Sequence, residues 1–116
     1  MRRTLVTRTW ILVLALISSA GMAAAQDAAQ VKKGQAVYAA QKCSMCHGIA
    51  GVGGKTSALD GVGKKLSEAD IRAWIVTPIE AAAKAKSTKK PIMPARYGKL
   101  PAADLDALVA YMASLK

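Results

Sequence analysis

Cys43-Ser44-Met45-Cys46-His47 decides how this chain is read. These residues include its only two cysteines and its only histidine, gathered into five consecutive positions of 116. A spacing of i, i+3 puts both thiols on one side of a turn, and the imidazole next in line projects beside them. A structural zinc site takes four side-chain ligands, whereas this cluster offers three and no second cluster completes it. A thioredoxin-like dithiol belongs to a βαβ setting, and no segment here alternates with the period of a strand. A disulfide across so short a loop would contribute little stability. With one histidine, multi-histidine metal sites and Ser-His-Asp relays away from position 47 are excluded, and two closely spaced cysteines build no disulfide framework.

The chemistry that uses all three groups is haem attachment. Cys43 and Cys46 add to the two vinyl groups of one haem c, and His47 reaches the iron from below the ring. A thioether sulfur is a suitable sixth ligand that raises the reduction potential. Met45 lies between the anchoring cysteines on the histidine side and does not reach the opposite face. Met112 belongs to an apolar helical stripe. Met93, in Pro91-Ile92-Met93-Pro94, is far enough along the chain for its loop to cross the ring, and the prolines reduce the entropy lost on binding. The expected ligand set is therefore His47 and Met93, with Cys43 and Cys46 as covalent anchors.

Outward from the motif the elements read as helices. Residues 28–41 carry Val31, Gly34 and Tyr38 on one face. Gly34 costs about 1 kcal/mol in a helix interior, which points to close packing against another backbone. Residues 48–65 hold six glycines and read as an irregular, tightly turning loop. Gly51-Val52-Gly53-Gly54-Lys55 has no strand before it, so it is a turn around the haem and not a phosphate loop. Ser67-Glu68-Ala69-Asp70 resembles a capping box ahead of Ile71, Trp74 and Ile75, and Pro78 ends or kinks that helix. A short helix is expected over 80–86, then an extended loop over 87–101 with three prolines. In the last helix Pro101 suits the first turn and Asp104 and Asp106 favour the positive end. Lys116 closes the negative end. Its apolar stripe is Leu105, Leu108, Val109, Met112 and Leu115, with Tyr111 beside it. The fold class is all-α. Lacking phenylalanine, the chain has a thin aromatic core, and the haem supplies the apolar disc its helices wrap.

The termini and the charge place the domain. Residues 1–25 combine Arg2, Arg3 and Arg8, an apolar run from Trp10 to Ile17, and a small-residue end at Ala23-Ala24-Ala25, the pattern of a cleaved export signal. The apolar run falls short of the ~20 residues that span a bilayer, which favours cleavage over a retained anchor. The mature domain is then 26–116, periplasmic, with no integral membrane segment. The whole chain has 17 Lys and Arg against 7 Asp and Glu. Lys84, Lys86, Lys89 and Lys90 cluster just before Met93, either as a solvated face or as a rim that steers an acidic partner. Nucleic acid is excluded as a partner, since no recognition motif accompanies the charge. Trp74 and Tyr97 read as packing residues able to reach a haem propionate, and Arg72 as a possible ion partner for one.

Gly34 and Tyr38, the 43–47 motif, Met93-Pro94 and the 108–115 helix with Tyr111 together resemble the class I monohaem c-type cytochromes of the small bacterial type, over almost all of 28–116. The resemblance implies first and last helices crossing at Gly34, with Tyr38 near Tyr111, and three to five helices around one covalent haem with an exposed edge. It implies a monomeric single-electron carrier, free or as the cytochrome subunit of a larger oxidoreductase, exchanging electrons with redox partner proteins. No general acid, base or nucleophile is arranged, so no enzyme is expected. The alternative is a five-coordinate haem sensor or peroxidase-like protein with an open distal site. The family carries a proline after the motif whose carbonyl accepts the proton of the ligand histidine. This chain has none between Gly48 and Thr77, and the expected equivalent is Ala58.

Overall fold

A computed structural model describes residues 27–116. The export-signal assignment to 1–25 lies outside the described residues. Helix α1 covers 27–40, and a 3-10 turn, Cys43–Met45, comes after it. Three very short strands come next: β1 (His47–Ile49), β2 (Val52–Gly53) and β3 (Ser57–Ala58). Helices α2 (Val62–Lys65), α3 (Glu68–Val76) and α4 (Pro78–Lys84) lead to a second 3-10 turn, Ala95–Lys99, and to α5 (Ala102–Ser114).

The core is a helix assembly. Val37 from α1, Ile71 and Ile75 from α3, and Leu105, Leu108, Val109 and Met112 from α5 form one buried cluster. The i, i+3, i+4, i+7 stripe of α5 is thus the face that packs, and it packs on two helices at once. Gly34 sets how closely α1 and α5 cross. A Cβ at that position would run into the Ala107 carbonyl oxygen and stand 2.6 Å from the Tyr111 Cβ. Tyr38, one turn on, meets Tyr111 edge to face, with ring centroids 5.7 Å apart and planes at 79°. Ion pairs border the contact: Lys33 to Asp104 at 3.1 Å, and Arg72 to Asp106. Being exposed, each adds little. The two aspartates expected to favour the N-terminus of α5 thus also tie it to α1 and α3.

Helix ends reflect their local chemistry. Ser67 caps α3, its hydroxyl accepting from the Asp70 backbone N–H at 3.1 Å while donating to the Asp70 carboxylate at 2.7 Å. That is a capping pair closed through the side chains. Thr77 ends α3, and Pro78 opens α4 at its first position, where no N–H is needed. The α4 helix ends in a Schellman arrangement, with Ser87 N–H donating to the Ala82 carbonyl and Lys86 N–H to that of Ala83. Lys86 occupies the left-handed position at φ 50°, where glycine is favoured. Pro101 caps α5 from outside rather than sitting in its first turn. Lys116 reaches the Gly63 carbonyl at 2.8 Å, tying α2 to the end of α5 instead of closing α5 itself.

The loop expectations change as well. The loop over 48–65 contains a miniature sheet in the order β2-β1-β3, with β1 antiparallel to β2 and parallel to β3. Strands of two or three residues leave no alternation to read, and the helical fold class is unaffected. The loop over 87–101 is not wholly extended, because Ala95–Lys99 winds into a 3-10 turn. Among the described residues, no helix is long and apolar enough to cross a membrane.

Candidate functional site

The anchoring motif starts where α1 stops. Lys42 turns left-handed at φ 56°, which ends the helix and opens the 3-10 turn that carries Cys43. Cys46 N–H donates to the Cys43 carbonyl at 3.2 Å, so the i, i+3 spacing is closed into one turn as expected. The two cysteines form no disulfide with each other; Cys43 is half-buried and Cys46 exposed. Burial, with the neighbouring Cys46, pushes the Cys43 thiol above its ordinary value. The glycine loop clasps this turn from outside. Gly54 N–H donates to the Ser44 carbonyl at 2.8 Å, and Ser57 N–H to that of Cys46 at 3.3 Å. A Cβ on Gly54 would lie 2.5 Å from the Met45 carbonyl oxygen, so only glycine lets the clasp close.

His47 begins β1 and pairs in parallel register with Ser57. That register brings its Nδ1 to 3.0 Å from the Ser57 carbonyl oxygen. A carbonyl only accepts, so Nδ1 carries the proton, and in the neutral ring Nε2 is the nitrogen with the lone pair. The ring is therefore held in the tautomer that binds a metal through Nε2. The acceptor is Ser57, not Ala58, because β1–β3 pairing sets Ser57 opposite His47 and Ala58 opposite Gly48. The proline of the related pattern is not needed for this contact, since backbone alone provides it. On the other side of His47, its carbonyl accepts from the Tyr38 hydroxyl at 3.3 Å. Burial, with smaller contributions from Cys43 and Tyr111, raises the Tyr38 pKa above its usual 10.0, so the phenol remains a donor.

The three candidate sulfurs have separate fates. Met112 is buried in the core, at 6% exposure, and Met45 faces solvent at 75%. Met93 lies between these extremes, partly buried against the core cluster. The segment after it fixes its place. Pro94 caps the 3-10 turn Ala95–Lys99, and Gly98 in that turn approaches the α3 backbone so closely that a Cβ would stand 3.0 Å from Val76 Cα. Leu59, Val62, Leu66, Tyr97 and Leu100 are, like Met93, packed against the core yet incompletely covered.

The other weighed residues do more local work. Arg72 is engaged by Asp106. Trp74 is half-buried on α3. Tyr97 accepts a hydrogen bond from Arg96 at 2.9 Å beneath that guanidinium, which stands 5.0 Å from the ring centroid. Two functional contacts are not visible in the sequence as contacts. The Ser57 carbonyl leaves no mark in side-chain identity, whereas the Tyr38 hydroxyl has a visible signal in the choice of tyrosine at a packing position.

These residues fit a haem. Two cysteines on one turn, a histidine whose Nδ1 is engaged by a carbonyl, and a fringe of half-covered apolar side chains suit its vinyl groups, its iron and its apolar disc. Among the described residues, no three His, Cys, Asp or Glu side chains converge into a cage for a bare ion. The family model described as Cytochrome c matches residues 31–116. No curated protein and no solved structure matches this chain. The match spans the crossing helices, the anchoring turn and the Met93 loop alike, and the chain belongs to the cytochrome c family.

Proposed function

We propose that this cytochrome is an exported, periplasmic carrier of single electrons, built from residues 26–116 after removal of 1–25. It holds one haem c covalently through Cys43 and Cys46, with His47 and Met93 as axial ligands. The observation that carries the reading is the Nδ1–H of His47 on the Ser57 carbonyl at 3.0 Å, one residue beyond the second thiol. That bond orients the imidazole before any iron arrives and strengthens its donation. The bound haem supplies reversible one-electron chemistry between ferrous and ferric iron, with a potential raised by a thioether ligand.

The protein's part is to keep that exchange free of rearrangement. The Gly54 clasp holds the anchoring turn, β3 holds the His47 ring, and the 3-10 turn on α3 holds the loop that presents Met93. None of these side chains is arranged to take or give a substrate proton. Residues 84–99 carry six cations and no acid, beside Met93 in sequence. Among the described residues, Lys84 alone of the six makes an ion pair, to Asp70 at 3.9 Å. Such a rim accelerates encounter with a partner bearing an acidic surface, without tight binding.

The oxidised protein is expected to show the near-infrared charge-transfer band of sulfur bound to ferric haem. Met93→Ala should remove that band and lower the reduction potential, while Met112→Leu keeps both. An oxidised wild-type protein without the band would leave the distal side open and favour a gas sensor or peroxidase-like protein instead.

A further inference from the structure

Tyr38 does two jobs with two parts of one side chain. Its ring lies edge-on to Tyr111 at the helix crossing, 5.7 Å between centroids. Its hydroxyl leaves that contact and donates to the His47 carbonyl, nine residues along the chain, at 3.3 Å. Packing at the crossing calls only for an aromatic face, which phenylalanine would supply equally. A half-buried phenol also needs a partner for its hydroxyl, and here that partner is the main chain of the residue whose ring is fixed by Ser57. A Cβ on Gly53 would collide with that same carbonyl oxygen, so the loop backbone closes on it as well.

We infer that Tyr38 is a positioning residue for the histidine side of the haem site, tying the crossing of α1 and α5 to the backbone of His47. The inference rests on the reading of His47 as an axial ligand. With the hydroxyl in place, the His47 peptide is held from α1 through its carbonyl and from β3 through its ring. Without it, the peptide keeps its strand pairing but loses one restraint, and the bond from Nδ1–H to Ser57 has room to lengthen. A longer bond leaves the imidazole a weaker donor, which favours the ferrous state. At 3.3 Å the contact is longer than an ordinary hydroxyl hydrogen bond, so the effect is modest.

The test uses the holoprotein with Tyr38→Phe and Tyr38→Leu. In the reduced state, solvent exchange of the His47 ring N–H is monitored by NMR, beside the reduction potential and the thermal midpoint. Tyr38→Phe should leave the midpoint near wild type, raise the exchange rate by roughly threefold or more, and raise the potential. Tyr38→Leu should do the same and also lower the midpoint, since it removes the ring contact. If Tyr38→Phe leaves both exchange and potential at wild-type values, the inference is overturned. Should Tyr38→Phe fail to mature, the same pair of readings is taken in a Lys86→Gly background, where relief of a left-handed lysine offsets the loss. A wild-type His47 ring proton lacking the large upfield displacement that haem imposes on its ligands would instead defeat the ligand assignment itself.

Discussion

At the scale of single residues, the haem site turns on backbone atoms as much as on side chains. Cys43, Cys46 and His47 are legible because their types are rare in the chain and their spacing is chemical. Gly34 is legible for a related reason, since a glycine inside a helix demands an explanation. The structure supplies it in the Ala107 carbonyl and the Tyr111 Cβ. Replacing Gly34 by Ala should therefore separate the terminal helices and destabilise the holoprotein by about 1–3 kcal/mol, read from denaturant unfolding. An unchanged midpoint would mean that the crossing is looser than these contacts require. The Ser57 carbonyl is not legible to the same degree. Any residue offers a carbonyl, so only the pairing register tells Ser57 from Ala58, and register here depends on strands too short to announce themselves.

At the scale of elements, caps and stripes are readable and pairings are not. The helices of 27–40, Glu68–Val76 and Ala102–Ser114 arise from apolar recurrence bounded by Ser67, Pro78 and Pro101. The miniature sheet exists only because the glycine loop folds back on the anchoring turn, a contact that no local pattern encodes. Two element ends lend themselves to measurement. Lys86 holds the left-handed position of a Schellman cap, so Lys86→Gly should stabilise the protein by about 0.5–1 kcal/mol in thermal unfolding. At the start of α3, the Ser67 hydroxyl holds the Asp70 carboxyl below its ordinary 3.8, helped by Lys84. A carboxyl with a native pKa below its unfolded value contributes stability above the unfolded pKa, and that contribution is lost as pH falls through the native pKa. Stability should accordingly decline as the pH drops below about 4, and Ser67→Ala should flatten this part of the curve. An identical acid limb in wild type and Ser67→Ala would refute the cap.

At the scale of the whole molecule, the proposed haem has a structural part as well as a redox one. The buried cluster is small, and Leu59, Val62, Leu66, Met93, Tyr97 and Leu100 stand at its margin only half covered. On the proposed reading, a haem laid against them would convert that margin into core, and thioether bonds to Cys43 and Cys46 would keep it there without a binding equilibrium. The composition agrees with that part, because a small domain without phenylalanine has a thin aromatic core that a large apolar disc would fill. Replacing both Cys43 and Cys46 by Ala should abolish the cooperative thermal transition; a transition surviving near that of wild type would show that the helices are self-sufficient. The most direct measurement of covalent haem attachment is the intact mass of the denatured, purified protein after expression with a haem-attachment system. The expected result is the mature chain plus one haem, retained through denaturation and acid extraction and lost in the double cysteine variant. A denatured wild-type chain at its bare polypeptide mass, colourless once extracted, would contradict it.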